Sequence, residues 1–212
     1  MAGKIIMLCV EGETEIEFYK AIINNAHQKM GKPFPCSFKY EDMRGIGNYK
    51  TKALRRFCHI QKENPDSEIY VYLCIDTDVF EFTKRPPIDK AAVKDALEEA
   101  GAKKVTYIEA KHSIEDWFLF DLEGVVGFLR LPLATRKPSG SGQEAIKKLF
   151  KQANKVYVKG TKIEGFVSSL DIPRIMKGYC TSLKPLCRSA SLECSKVCGV
   201  PVKTKKAKRK KT

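Results

Sequence analysis

Apolar residues in the first 130 positions follow two alternating patterns. Short, largely apolar runs predict strands at 4–10, 37–43, 68–75 and 104–110. Apolar residues that recur every three to four positions predict helices at 15–30, 54–60, 90–100 and 113–129. The run at 68–75 is nearly continuous, which is typical of a central parallel strand covered on both faces. The strand–helix repeats therefore predict an α/β fold with a mostly parallel sheet flanked by helices.

The pattern weakens after residue 130. A loop-like composition at 134–143 precedes a predicted helix at 144–153, a short predicted strand at 155–160 and two helical stretches that end near Val197. We therefore predict an α/β core at 1–130, a helical C-terminal extension at 131–200 that packs on the core, and a disordered basic tail at 201–212.

The turn after the first strand carries Glu11 and Gly12. Thr14, with Glu17 three residues later, matches a capping box, so the first helix is predicted to begin near Glu15. Glu11 then follows the carboxyl end of a strand, which is where ligands bind in open parallel sheets.

Composition is that of a soluble globular protein, with 43% hydrophobic and 30% charged residues. No apolar run has membrane-spanning length, and the run at 4–10 has no signal-type cleavage site after it. Eight cysteines without an export signal indicate a reducing compartment rather than a disulfide scaffold. We therefore predict a cytoplasmic protein with no membrane partner.

Basic residues dominate the charge. The net charge is +14, and the segment 203–212 contributes seven positive charges. This distribution favours a polyanionic partner such as DNA or RNA, because phosphate contacts release counterions. The tail residues expected to bind nucleic acid are Lys205, Lys206, Lys208, Arg209, Lys210 and Lys211. A solubilising tail or a localisation signal is the alternative for this segment.

Acidic residues lie at or just beyond the carboxyl ends of all four predicted strands. They are Glu11, Asp42, Asp76 with Asp78, and the acids between 109 and 115. Carboxylates that meet at one sheet edge repel each other unless a cation is present, and Mg²⁺ or Mn²⁺ takes carboxylate oxygens. In a strand, residues i and i+2 project to the same side, so Asp76 and Asp78 could reach one ion. The alternative is that both acids cap the next helix or pair with Lys84 and Arg85.

Three segments carry a family resemblance: "LCVEG" at 8–12, "CIDTD" at 74–78 and "SIEDWFLFD" at 113–121. A strand that ends in Glu-Gly, followed by a central strand that ends in Asp-x-Asp, resembles the TOPRIM domain of topoisomerases, primases and OLD-type nucleases. Together with "VEGETEIEFY", the three segments are most similar to the RloB-like and OLD-family branch. "YVKG" at 157–160 also resembles a late Tyr-x-Lys element of RloB-like proteins. The resemblance covers 4–130 and, more loosely, 155–200.

The resemblance implies a TOPRIM-like fold and a metal-dependent nuclease of prokaryotic defence, with one or two Mg²⁺ or Mn²⁺ ions. It implies that Glu11 is a metal ligand or a general acid–base group. Asp76 and Asp78 would be metal ligands, and Glu115 would complete a second metal site. Lys159 would contact phosphate if the Tyr-x-Lys resemblance holds; otherwise it is one of many surface lysines.

Three further residues are candidates with an alternative each. Glu15 lies one helical turn from Glu11 and is a further metal-site candidate, or an acid that simply favours the first turn of a helix. Arg44 and Lys50 flank the glycine turn "RGIGNYK", whose backbone N–H groups could bind phosphate at a helix start. Glycine turns before helices are also common without a ligand.

Four cysteines near the C-terminal end raise the question of a zinc site. They are Cys180, Cys187, Cys194 and Cys198. Their spacing lacks the paired Cys-x2-Cys of structural zinc sites, and the last three fall on one face of a single helix. We therefore predict buried helix packing rather than metal binding.

The chain departs from topoisomerases and primases after Asp78, where Val79 and Phe80 replace a further acid and glycine. This departure favours a nuclease. No G-x-x-x-x-G-K-[ST] motif occurs, so we predict no nucleotide cofactor, and any partner ATPase would be a separate subunit. OLD-type relatives dimerise, which makes a homodimer a further expectation. Two other functions stay open: a non-catalytic nucleic-acid-binding subunit of a larger complex, and a primase-like nucleotidyl transferase.

Overall fold

The computed structural model describes residues 3–81 and 85–199. The strands are β1 (Lys4–Val10), β2 (Ser37–Asp42), β3 (Glu68–Asp76) and β4 (Lys104–Ala110). The α-helices are α1 (Glu13–Met30), α2 (Leu54–Glu63), α3 (Asp78–Glu81), α4 (Lys90–Glu99), α5 (Ile114–Phe118), α6 (Leu122–Leu129), α7 (Gly142–Gln152), α8 (Ile172–Gly178), α9 (Cys180–Ser189) and α10 (Cys194–Cys198). Short 3-10 helices lie at Ile46–Asn48, Leu119–Asp121 and Val167–Ser169, and a π-helical turn at Tyr49–Ala53 leads into α2. Across these ranges, no helix combines the length and apolarity needed to cross a lipid bilayer.

The four strands form one parallel sheet in the order β2-β1-β3-β4. The chain leaves β1 toward one edge of the sheet and leaves β3 toward the other edge. The strand order therefore reverses between β1 and β3, and sheets of this kind have a crevice beyond the carboxyl ends of the strands at such a point. The predicted α/β class is confirmed, and the sheet is parallel throughout its described strands.

Alternate side chains of β1 face two separate cores, as the two-residue period of a strand requires. Ile6, Leu8 and Val10 lie in one cluster with apolar residues of α1 and of the C-terminal extension. Their neighbours on the other face lie in a second cluster with residues of α2 and α4. β3 also contributes to both clusters, which explains its nearly continuous apolar sequence. The extension therefore shares a continuous apolar core with the α1 side of the sheet.

The first helix begins at Glu13, two residues before the predicted start. Among the described residues, no side chain caps its N-terminus. Thr14 Oγ1 instead donates a hydrogen bond to the Thr161 carbonyl oxygen at 2.5 Å. The predicted capping box was therefore wrong, because the Thr14 hydroxyl bonds a carbonyl group of the C-terminal extension and not a backbone N–H of its own helix.

Two predictions for the C-terminal extension were also wrong. The predicted strand at 155–160 is a loop: it has no regular secondary structure and pairs with no strand of the described sheet. Cys187 lies in α9 and Cys198 in α10. A turn that includes Ser191, whose φ is 57°, separates the two helices. They are therefore not on one helix, although both are buried in the same apolar cluster. The Cys194 side chain lies outside the described part of the structure.

Candidate active site

The carboxyl ends of the two central strands bring Glu11 and Asp76 together. Glu11 follows β1 directly, and Asp76 is the last residue of β3. The backbone pairing of these strands reaches Cys9 and Leu73, and beyond it the Asp76 backbone N–H donates to Glu11 Oε1 at 3.2 Å. Asp76 Oδ1 accepts a further hydrogen bond from the Ile114 backbone N–H at 2.8 Å. Both carboxylates are thus fixed at the point where the strand order reverses.

Two more glutamates complete a buried acidic cluster. Glu15, in the first turn of α1, accepts a hydrogen bond from the Glu11 backbone N–H at 3.1 Å and is 5% exposed. Glu115, in the first turn of α5, is fully buried. Its Oε1 accepts a hydrogen bond from the Tyr157 hydroxyl at 2.9 Å. Glu15 is therefore more than an exposed acid at a helix start, because it orients the backbone that carries Glu11.

Lys159 brings a cation into this cluster from the C-terminal extension. Its Nζ lies 2.5 Å from Asp76 Oδ2 and 3.8 Å from Glu11 Oε2. The Lys159 side chain is 25% exposed, so the ammonium group faces both the carboxylates and the solvent. The structure therefore joins Glu11, Asp76 and Lys159, which the sequence resemblance had assigned to one site.

The segment that carries Lys159 is anchored on the N-terminus of α1. The Glu13 backbone N–H donates to the Gly160 carbonyl oxygen at 2.7 Å, and Lys162 N–H donates to Glu13 Oε2 at 3.2 Å. A Cβ atom at Gly12 would lie 2.3 Å from Gly160 Cα. Gly12 has φ −166°, an extended conformation open to any residue, so glycine is required here for close backbone approach and not for an unusual φ angle.

Burial dominates the electrostatics of the cluster. It raises the pKa of Asp76 to about 7, although the Lys159 ammonium opposes this shift. Burial also raises the pKa of Glu11, and raises the pKa of Glu15 well above its usual range. Burial alone would lower the pKa of Lys159, but the surrounding carboxylates, Asp76 first, reverse the shift and raise it. At neutral pH the lysine is therefore charged, and Asp76, with a pKa of about 7, is only partly ionised.

An open pocket with a volume of about 350 Å³ lies beside the cluster. Its lining includes Glu11, Lys159, Arg44, Gly45 and Thr161. The Arg44 side chain is 82% exposed, so its guanidinium group is accessible to an anionic ligand. Glu11 and Asp42 contribute carboxylates to the same lining, and Arg44 Nε lies 3.8 Å from Asp42 Oδ2. Acidic and cationic side chains around one pocket suit a phosphate group bound next to a cation.

In the glycine turn at 44–50, the first two backbone N–H groups donate hydrogen bonds within the protein. The Gly45 N–H donates to the Glu11 carbonyl oxygen at 3.0 Å, and the Arg44 N–H donates to Asp42 Oδ1 at 2.7 Å. These two N–H groups are therefore already used. Lys50 is exposed on the π-helical turn, and it is not among the described residues that line the pocket.

The remaining acids at strand ends have different surroundings. β3 ends at Asp76, so the strand alternation that would align Asp78 with it does not extend that far. Asp78 instead begins α3, and its Oδ1 accepts from the Val79 N–H at 2.7 Å. Its charge still acts on Glu11, whose pKa it raises further. Glu109 pairs with Lys90 at 2.7 Å and takes no part in the cluster.

Some predicted residues cannot be placed. The basic residues of 203–212 lie outside the described residues, as does Lys84, the first of the two alternative partners of Asp76 and Asp78. In the described structure Asp76 pairs with Lys159 instead.

The chemistry of the donors fits a divalent cation. Carboxylate oxygens are the ligands that Mg²⁺ and Mn²⁺ take. Within residues 3–81 and 85–199, no three His, Cys, Asp or Glu side chains already form a ligand group. Glu115 Oε2, however, is buried and has no hydrogen-bond partner among the described residues. Such an oxygen costs about 1–3 kcal/mol, which a bound cation would offset.

Sequence reasoning missed two tyrosines. Tyr157 hydrogen-bonds Glu115, as described above, and Tyr49 donates from the π-helical turn to the carbonyl oxygens of Cys9 and Cys74, near the ends of β1 and β3. The "YVKG" segment drew attention to Lys159 alone, because nothing local in the sequence shows which carboxylate a tyrosine will reach. Tyr49 carried no signal beyond its place in the glycine turn.

Comparison with known proteins adds no relative: no family model, no curated protein and no solved structure matches the chain.

Proposed function

We propose that the protein is a metal-dependent nuclease that hydrolyses phosphodiester bonds in DNA or RNA. The observation that supports this most directly is the cluster of Glu11, Asp76 and Lys159 at the reversal of strand order, beside an open pocket that Arg44 also lines. Buried carboxylates next to a lysine, at an edge where parallel sheets bind ligands, suit phosphoryl chemistry.

Glu11, Asp76 and Glu115 are the residues that would hold Mg²⁺ or Mn²⁺, with Asp78 adding negative charge nearby. When bound, such an ion polarises a phosphoryl oxygen and lowers the pKa of a water molecule. Lys159 and Arg44 line the pocket, and their cationic groups would donate hydrogen bonds to phosphate oxygens.

Hydrolysis forms a bond from a water oxygen to phosphorus and breaks the bond from phosphorus to the leaving oxygen. The proton of the attacking water needs an acceptor. If Glu11 is not itself a metal ligand, it is the candidate acceptor, because its carboxylate lies beside Asp76 and lines the pocket. Glu15 holds the backbone of Glu11 in place through the hydrogen bond at 3.1 Å.

The test uses purified protein with plasmid DNA and with RNA, each in Mg²⁺, in Mn²⁺ and in EDTA. Cleavage is expected with the metals and not in EDTA, and Asp76→Asn and Glu11→Gln are expected to abolish it while the variants stay folded. Glu109→Gln is the matched control, since this acid lies on the neighbouring strand but pairs with Lys90. Cleavage that persists in EDTA or in both site variants would contradict the proposal.

One observation favours a second candidate, the non-catalytic nucleic-acid-binding subunit. The ion pair of Lys159 with Asp76 joins the C-terminal extension to the sheet, and a purely structural role would need no more than this contact. In that case the wild-type protein binds nucleic acid without cleaving it, and Asp76→Asn changes stability but not binding. Incorporation of a labelled nucleotide would instead identify a nucleotidyl transferase.

The resemblance also implies a setting in prokaryotic defence. A phage challenge of cells that express wild-type protein or Asp76→Asn tests this part, because protection by both forms would exclude the proposed chemistry as its cause.

A further inference from the structure

Glu115 is the least exposed of the four clustered acids and the most unusual in its hydrogen bonding. It is fully buried in the first turn of α5, and its charge acts on Glu11, Asp76 and Lys159. One of its carboxylate oxygens accepts from Tyr157, and the other has no partner within the described residues. Buried polar atoms are nearly always paired, so an unpaired carboxylate oxygen in a cluster of acids points to a missing ligand.

The Tyr157 hydroxyl that holds Glu115 is itself firmly placed. Tyr157 is 6% exposed, and its ring packs edge-to-face on Phe150 in α7 with centroids 5.2 Å apart. Three residues later the chain is fixed again, where Gly160 accepts from the Glu13 N–H at 2.7 Å. The hydroxyl therefore belongs to a segment held at both ends, although the segment itself is a loop.

A hydrogen bond to one oxygen of a carboxylate limits its rotation and so fixes the direction of the other oxygen. Without the hydrogen bond from Tyr157, the Glu115 carboxylate would be free to turn toward the Lys159 ammonium group, on which its charge already acts. A donor outside the ligand set that orients a metal-binding carboxylate typically changes metal affinity 10- to 100-fold when it is removed.

We propose that Tyr157 is a positioning residue, whose hydroxyl holds Glu115 Oε1 so that Oε2 is available as a ligand to the divalent cation of the site. This inference rests on the proposed function, and it assigns a role to a residue that touches neither the substrate nor the cation. Tyr157 and Lys159 then act from one short segment: the tyrosine orients an acid, and the lysine faces the pocket.

The experiment replaces Tyr157 with phenylalanine, which keeps the ring that packs on Phe150 and removes only the hydroxyl. Mn²⁺ affinity, measured by calorimetry without nucleic acid, is expected to fall 10- to 100-fold. The Mn²⁺ concentration for half-maximal cleavage should rise by a similar factor, while the rate at saturating Mn²⁺ changes less. Tyr72→Phe is the matched control, because this buried tyrosine hydroxyl bonds Pro185 O and Ser189 Oγ instead.

A double-mutant cycle shows whether Tyr157 acts through Glu115. Glu115→Gln should lower Mn²⁺ affinity, and adding Tyr157→Phe to it should lower the affinity little further. Equal Mn²⁺ affinity of wild type and Tyr157→Phe, or equal losses for Tyr157→Phe and Tyr72→Phe, would overturn the inference while leaving the proposed function intact. A wild-type protein that neither binds Mn²⁺ nor cleaves nucleic acid would overturn both.

Discussion

Gly12→Ala tests whether the contact between two chain segments far apart in sequence builds the site. A Cβ atom at this position would lie 2.3 Å from Gly160 Cα and 2.6 Å from the Gly160 carbonyl oxygen. Backbone atoms cannot move aside by changing a rotamer, so the segment of Gly160 must retreat by about 1.2–1.7 Å to reach a normal van der Waals distance of about 3.5–4.0 Å. Lys159 is the preceding residue and would move with it.

Two opposing terms set the magnitude. Replacing glycine by alanine reduces the entropy of the unfolded chain and favours folding by about 0.4–1 kcal/mol where the backbone angles allow it, as the extended φ of −166° does. Overpacking of a close contact costs about 1–3 kcal/mol. We therefore expect a net loss of about 1–2 kcal/mol in the free energy of unfolding, and a loss in cleavage of about 100-fold from the displaced lysine.

Urea unfolding and a nuclease assay at saturating Mn²⁺ measure the two effects. Gly47→Ala is the control, since a Cβ built at Gly47 meets no described atom within 4 Å apart from those of its own residue, its chain neighbours and its own helical turn. It should leave cleavage unchanged and raise the free energy of unfolding by no more than about 0.4–1 kcal/mol, because its φ allows alanine and its Cβ position is open. The reasoning fails if Gly12→Ala matches wild type in both assays, or if Gly47→Ala loses as much as Gly12→Ala.

Burial raises the pKa of Asp76 from 3.8 to about 7, so the folded protein keeps this proton where the unfolded chain has lost it. Protonated Asp76 therefore adds to the free energy of unfolding: this contribution is complete below about pH 4 and is lost as the pH rises to about 7, by up to about 1.4 kcal/mol per pH unit. In urea unfolding with EDTA present, Asp76→Asn should make the free energy of unfolding depend less on pH. An equal slope in both proteins would refute the assignment. Ser141→Ala removes the capping box of α7, in which Ser141 Oγ accepts from the Glu144 N–H, and should cost about 1 kcal/mol in thermal unfolding with cleavage unchanged. Deleting 203–212 removes seven positive charges and should weaken nucleic-acid binding and reduce its dependence on salt, whereas an unchanged salt slope would exclude the tail as a binding element.

Local sequence was sufficient for the four strands of the α/β core, because hydrophobic periodicity reports burial one segment at a time, whereas the single helix predicted at 113–129 is divided into α5, a 3-10 turn at Leu119–Asp121 and α6. β1 begins and ends at the predicted residues, Lys4 and Val10, and β4 at Lys104 and Ala110. The same logic places Glu11 and Asp76 at one edge of the sheet, since carboxyl ends of parallel strands lie on the same side. It fails for 155–160, where an apolar alternation that suits a strand meets no neighbouring edge to pair with.

What the sequence by itself determined, then, is the class of fold and the gathering of acids at the carboxyl edge of the sheet. Only the tertiary structure decided which basic side chain pairs with these acids, because Lys159 and Asp76 are 83 positions apart in the chain. It also decided that Thr14 bonds the extension rather than capping its own helix, and that Tyr157 holds Glu115. Each of these contacts depends on how the extension packs on the sheet. That packing is set by the shapes of two apolar surfaces together, and no window of sequence contains both.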